Sequence, residues 1–220
     1  MGRPRRTSRD HRRRTHQQNF ITDAGTVERL VADVVPGDLV VDVGAGSGAL
    51  TLACAAAGAD VVAVERDDRW CRQLRDRVRS AGLSDRVRIV QDDLRAFDLP
   101  RGRWRVVANP PFKLTTTLLH RLFDDPRRAP ERADLVLQWE VARKLAAQPP
   151  TTLLSASWAP WWDLRLVQRI PRSAFRPVPG VDAGWLRARR RAPEILDADL
   201  APGWAAFLRE RWPPSASSHR

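Results

Sequence analysis

Lysine is almost missing from this basic chain. Of 38 basic residues only Lys113 and Lys144 are lysines, and 26 acidic residues leave a net charge of +12. Codon bias in a GC-rich genome accounts for much of the Arg-for-Lys preference. It does not account for the positive excess, which points to a polyanionic partner. Cysteine is nearly as scarce: Cys54 and Cys71 stand in two separate predicted helices. Two such residues make no disulfide framework, and no Cys or His spacing suits a metal, so none is expected. No apolar run is long enough to span a membrane. No apolar segment follows the Arg-rich start, so a secretory signal is not expected, and two reduced thiols suit a cytoplasmic protein. Hydrophobic residues still make up 43% of the chain. That is enough for one folded domain of moderate size.

The charge is uneven. Residues 1–16 hold seven Arg and two His against one Asp. The pattern predicts a basic, disordered arm that lies on nucleic acid, with Arg12, Arg13 and Arg14 as phosphate contacts. A folded domain is expected over residues 17–191. A short tail with four prolines and one helix near residues 204–212 follows over 192–220.

Between the ends, apolar periodicity alternates. Helices are predicted at 26–35, 49–57, 67–80, 115–123 and 140–147, and strands at 39–43, 61–65, 87–90, 104–108, 133–138 and 181–189. Residues 153–162 and 164–170 read as a β-hairpin. The order implies an α/β domain with a parallel, doubly wound sheet and an antiparallel addition at one side. No internal repeat is visible.

Two motifs carry chemistry. Asp42-Val43-Gly44-Ala45-Gly46-Ser47-Gly48 ends a strand and opens a helix. Glycines there allow a tight turn and a ligand close to the backbone. Glu65 ends the next strand, 21 positions after Gly44, where an acid accepts ribose hydroxyls. The glycines alone would suit a nicotinamide cofactor. Asp42 before the loop and Asp92 after a third strand, placed for an adenine amine, favour S-adenosylmethionine. The second motif is Asn109-Pro110-Pro111-Phe112 at the end of a fourth strand. Neither proline can donate to a ladder, so the strand stops there. What remains is a carboxamide, a rigid carbonyl and an aromatic ring, a grip for a planar group bearing an amine.

Four segments then resemble the erythromycin-resistance (Erm) rRNA adenine N(6)-methyltransferases and the related dimethyladenosine transferases of small-subunit rRNA. They are Gln18-Asn19-Phe20-Ile21-Thr22-Asp23, the glycine loop with Glu65, Asn109-Pro110-Pro111-Phe112, and Phe175-Arg176-Pro177-Val178-Pro179-Gly180-Val181-Asp182. A weaker fifth match is Gln138-Trp139-Glu140-Val141-Ala142-Arg143-Lys144. The resemblance implies a class I, Rossmann-like methyltransferase with a mostly parallel seven-stranded sheet and an antiparallel hairpin at one side. It implies S-adenosylmethionine held by Asn19, Ile21, Gly44, Gly46, Glu65, Asp92 and Asn109, and catalysis by Asn109, Pro110, Pro111 and Phe112. Phe112 would stack on the flipped base, and Phe175 would cover its other face or the entrance. The substrate implied is one adenine of 23S rRNA, methylated before or during ribosome assembly by a monomer, with macrolide-lincosamide-streptogramin resistance as the output. Alternatives are a small-subunit rRNA dimethyladenosine transferase, another DNA or RNA adenine or protein glutamine methyltransferase, and a non-catalytic rRNA-binding factor.

The sequence departs from the family in three places. Pro110 stands where Ile or Leu is usual, and Gly180 where a Lys is usual. The family's C-terminal helical domain does not fit into the 29 residues after Arg191, so the resemblance is to short members. With that domain missing, Arg187, Arg189, Arg190 and Arg191 are expected to serve as further phosphate contacts.

Overall fold

The computed structural model describes residues 19–212. The expected arm, with Arg12, Arg13 and Arg14, therefore lies outside the described residues, as does Gln18. A seven-stranded sheet forms the centre. Its strands are β2 (Leu39–Val43), β3 (Asp60–Glu65), β4 (Val87–Gln91), β5 (Arg105–Ala108), β6 (Arg132–Gln138), β7 (Trp162–Ile170) and β9 (Ala183–Arg190). The spatial order is β4-β3-β2-β5-β6-β9-β7. The first five are parallel, and β9 alone is reversed, pairing antiparallel with both β6 and β7. Parallel strands covered on both faces need continuous apolar runs, and Val40, Val41, Val106 and Val107 are all fully buried.

Helices cover the faces. They are α1 (Ala24–Val31), α2 (Ala49–Ala56), α3 (Asp68–Ser80), α4 (Thr115–Phe123), α5 (Trp139–Leu145), α6 (Leu153–Trp158) and α7 (Ala201–Arg211). In α3 only Cys71, Leu74 and Val78 are buried, one apolar stripe on an otherwise charged helix. Asp67 caps its start by accepting from the Arg69 N–H at 2.9 Å. Burial pushes both the Cys54 and Cys71 thiols up, which keeps them protonated and inert.

One expected element is wrong. Residues 153–158 form helix α6 rather than the first arm of a hairpin, and the antiparallel partner of β7 is β9. The local reason is a capping box. The Thr152 hydroxyl accepts from the Ser155 N–H at 3.0 Å, and the Ser155 hydroxyl accepts from the Thr152 N–H at 3.3 Å. Residues after Arg191 pack back onto this helix. Ala201 is buried, Trp204 donates its indole N–H to the Ala156 carbonyl at 3.1 Å, and Trp161 donates to the Leu196 carbonyl at 2.8 Å.

A second, two-stranded sheet pairs β1 (Phe20–Ile21) with β8 (Phe175–Arg176), in antiparallel register Phe20 to Arg176 and Ile21 to Phe175. The Thr22 N–H donates to the Ala174 carbonyl at 2.8 Å and extends the join. Segments some 150 residues apart are thereby held as one strap over the carboxyl ends of β5 and β6.

Candidate active site

The sheet order reverses between β2 and β5, because the chain runs outward through β3 and β4 before returning to β2's other side. In doubly wound sheets the crevice beyond the carboxyl ends at that point receives ligands. Gly44 follows β2 and Asn109 follows β5, so the two sequence motifs meet there. Gly44 has φ +77°, and a Cβ on it would stand 3.0 Å from Pro111 Cδ. Glycine at 44 thus permits both the left-handed turn and the approach of the proline pair. Gly46, at φ +53°, lies under the Phe20 ring, which any Cβ there would strike. Phe20 also contacts Trp70, with ring centroids 4.6 Å apart.

The crevice is lined by Asn19, Ile21, Asp42, Gly44, Ser47, Asn109 and Pro111 among others. Glu65 is buried against the glycine loop. One of its carboxylate oxygens accepts from the Gly46 N–H at 3.0 Å and the other from the Asp67 N–H at 2.8 Å. Each oxygen keeps a lone pair for a further donor such as a ribose hydroxyl. Burial raises the Glu65 pKa, and those backbone donors oppose the rise. Asp42 is fully enclosed and accepts from the Thr51 hydroxyl at 2.6 Å. Its pKa is pushed up to about 7, chiefly by burial. Beyond β4, Asp93 takes the arginines: Arg95 at 2.6 Å and Arg66 at 3.3 Å. Those contacts hold Asp93 well below the usual carboxylate range. The half-buried Asp92 accepts only its neighbour's N–H at 2.7 Å and has no arginine partner among the described residues. A glycine loop, two buried acids and an uncommitted acid are the donor and acceptor set that a nucleoside carrying an amino-acid arm requires.

The Asn109 carboxamide donates to the Asn19 carbonyl at 2.7 Å. That bond fixes the amide plane, and no described group donates to its Oδ1. Pro110 is buried behind it, and Phe112 begins a 3-10 turn closed by the Leu114 N–H on the Pro111 carbonyl at 2.8 Å. Phe112 opens onto a second cavity with Asn19, Gln138 and the 177–181 segment. Asn19 therefore lines both the crevice and this cavity, and Asn109, which lines the crevice, is tied to Asn19 by that hydrogen bond.

Three expectations fail. Phe175, in the β1–β8 strap, is fully buried and packs with Ile21, Val107 and Ile170, so it offers no face to RNA. Arg189, Arg190 and Arg191 lie at the wrong end of the sheet. Arg189 pairs with Arg132 at the start of β6, whereas Ala183 pairs with Gln138 at its site end. Six residues of strand, about 20 Å, separate the two. Arg190 is bound to Glu194 at 2.6 Å, and Arg191 donates to the Ala159 carbonyl at 2.8 Å. Arg187 is consumed as well: it pairs with the fully buried Asp134 at 2.8 Å and with Asp33 at 3.2 Å. A buried carboxylate needs such partners, since an unpaired one is strongly destabilising. Conversely, Phe20, Thr51 and Gln138 join the site without having been singled out. Only Phe20 and Gln138 carried a signal, as members of matched segments.

Comparison with known proteins agrees with this geometry. The family model described as "Ribosomal RNA adenine dimethylase" matches residues 9–211. The chain belongs to that family. Among its relatives is the mycinamicin-resistance protein MyrB of Micromonospora griseorubida, 39% identical over 196 residues, covering 88% of this chain and 60% of that protein. An rRNA adenine N-6-methyltransferase of Corynebacterium diphtheriae is 40% identical over 182 residues, covering 82% of this chain and 69% of that protein. The chain thus spans between 60% and 69% of the length of these two curated relatives. The crystal structure of the 23S rRNA methyltransferase ErmE superposes with a TM-score of 0.77 at 26% identity, covering 87% of this chain and 78% of that one. The family fold is therefore the seven-stranded, mostly parallel sheet described above.

Proposed function

We propose that the chain transfers a methyl group from S-adenosylmethionine to the 6-amino group of an adenine in ribosomal RNA. The observation that carries this reading is Asn109 in the crevice bonded to Asn19, which lines both the crevice and the second cavity walled by Phe112. The cofactor supplies a methyl group on a positively charged sulfur. Glu65 would hold its ribose hydroxyls and Asp92 its adenine amine. Asn19, Ile21, Gly44 and Gly46 would enclose the rest.

The protein's own task is to present the amine. Its lone pair is delocalised into the ring and must be drawn out of that plane. The Asn109 Oδ1 and the Pro110 carbonyl accept the two amine hydrogens, which turns the lone pair toward the crevice. The nitrogen would take the methyl carbon as that carbon's bond to sulfur breaks with the pair left on sulfur, and would shed a proton to water, so no general base is needed. Withdrawing the base from its stack costs a few kcal/mol, of which stacking on Phe112 returns about 1–3. The catalytic unit proposed is residues 17–191.

The names of the relatives and of the superposed structure support a finer reading. The target would be an adenine of 23S rRNA and the output macrolide-type resistance; action before or during ribosome assembly by a cytoplasmic monomer is proposed beside it and rests on none of those names. Asn109→Ala should lower kcat for tritiated methyl transfer into naked 23S rRNA by about 100-fold or more, the usual cost of a lost transition-state hydrogen bond. Near-wild-type turnover would sink the assignment.

A further inference from the structure

Beyond the base cavity the surface continues into a hollow of about 510 Å3. It is lined by Trp139, Arg169, Arg172 and Asp182, and shares Gln138, Gly180 and Val181 with the cavity that Phe112 walls. Its size falls within the range of ordinary small-ligand pockets, about 300–1,000 Å3. Resting on the reading above, we propose that this hollow is a subsite for the nucleotide next to the target adenine, whose base stacks on the Arg169 guanidinium.

The guanidinium is built as a platform. Its carbon lies 5.1 Å from the centroid of the Trp139 ring, which backs it. Along its edge Asp182 accepts from Nε at 2.8 Å and lies 2.7 Å from a terminal nitrogen. The other Asp182 oxygen accepts from the Arg172 N–H at 2.9 Å, which holds the carboxylate in turn. Gly184 lets the helix that begins at Trp139 pack closely on β9. A Cβ there would lie 2.7 Å from the Ala142 Cβ and 3.4 Å from the Trp139 ring. Ring, carboxylate and guanidinium thus hold one another, yet the Arg169 side chain remains 60% exposed. A planar cation held flat with an open face is what an unstacked base requires, and arginine planes take RNA bases in that way.

Charge fits the same occupant. Arg172, Arg143 and Lys144 stand on the flanking segments, against Glu140, which Arg143 engages at 2.8 Å, and Asp182, already bonded as above. Positive charge is left for the phosphate that links the two nucleotides. Gly180, where the family resemblance leads one to expect a lysine, leaves the passage between cavity and hollow open.

The test separates planarity from charge. Filter binding of a 23S rRNA transcript, with excess homopolymer RNA to occupy non-specific sites, reports the subsite without turnover. Both Arg169→Ala and Arg169→Lys should weaken Kd about tenfold, the size of one lost base stack. Their kcat at saturating RNA should stay within about twofold of wild type, since Arg169 touches no reacting atom. Wild-type Kd in Arg169→Lys overturns the stacking platform, and wild-type Kd in Arg169→Ala overturns the subsite altogether. If the unaltered chain transferred no methyl group to the transcript while the Kd pattern held, the proposed reaction would fail and the subsite would stand.

Discussion

At Asn109 a single backbone contact decides how the side chain works. The Asn19 carbonyl takes the amide N–H at 2.7 Å, which holds the amide against flipping and leaves its oxygen as the free acceptor. Phe112 supplies a surface rather than a hydrogen bond, so its replacement should follow ring area. Phe112→Ala should raise KM for rRNA about tenfold, whereas Phe112→Trp should stay close to wild type in the same methyl-transfer assay. Asp42 makes a different prediction, on stability. Its folded pKa of about 7 lies above the ordinary 3.8, so the folded state holds the proton more tightly than the unfolded chain does. Its contribution is therefore fully present below pH 3.8 and is lost as pH rises toward 7. The loss has a maximum slope of about 1.4 kcal/mol per pH unit. Asp42→Asn cannot titrate, so urea denaturation at pH 5 and pH 8 should show a smaller fall for the variant than for wild type. An equal fall in both proteins would show that burial does not perturb Asp42.

Among the elements, helix α6 exists because of its first turn. Thr152 and Ser155 satisfy each other's backbone donors, and the helix then buries Trp158, whose indole N–H reaches Asp124 at 2.9 Å. Thr152→Ala should cost about 1 kcal/mol, and Thr152→Ser much less, read from the shift in urea midpoint. The same turn explains the misplaced hairpin. Leu153 to Trp158 carries apolar residues compatible with either period, and the alternation that favoured a strand took no account of Thr152 as a cap. The parallel strands were legible because each is a short run centred on Val, Leu, Ile or Ala and followed within a residue or two by a polar residue or glycine. The site motifs were legible because their residues are contiguous. What the sequence could not show is long-range pairing. Nothing local to Asn19 or Phe175 says that their strands meet, nor that Phe175 turns inward from that strap. The direction of β9 was equally hidden. A strand read in isolation does not say which of its ends faces the site, and Arg189 to Arg191 were misplaced for that reason.

Across the whole molecule, positive charge and ion pairing are distributed unequally. In the folded part arginines are widely matched: Arg72 with Asp68, Arg86 with Asp60, Arg103 with Glu131, Arg127 with Asp199, and Arg165 with Asp163. Exposed pairs of this kind stabilise little, but each withholds a cation from an RNA phosphate. Residues 1–16, outside the described part, hold seven Arg against one Asp, and so carry six of the twelve net positive charges. If ribosomal RNA is the partner, the salt dependence of its binding should come largely from that segment, with the hollow at Arg169 and Arg172 adding less. Each phosphate neutralised contributes about 0.7–0.9 to the slope of log K against log salt. Deleting residues 1–14 should therefore lower the slope by about 2 or more, while kcat at saturating rRNA stays near wild type, since none of the residues proposed for the chemistry falls within 1–14. A slope unchanged by the deletion would move the phosphate contacts onto the folded surface, and the matched arginines there would have to break their carboxylate pairs to make them.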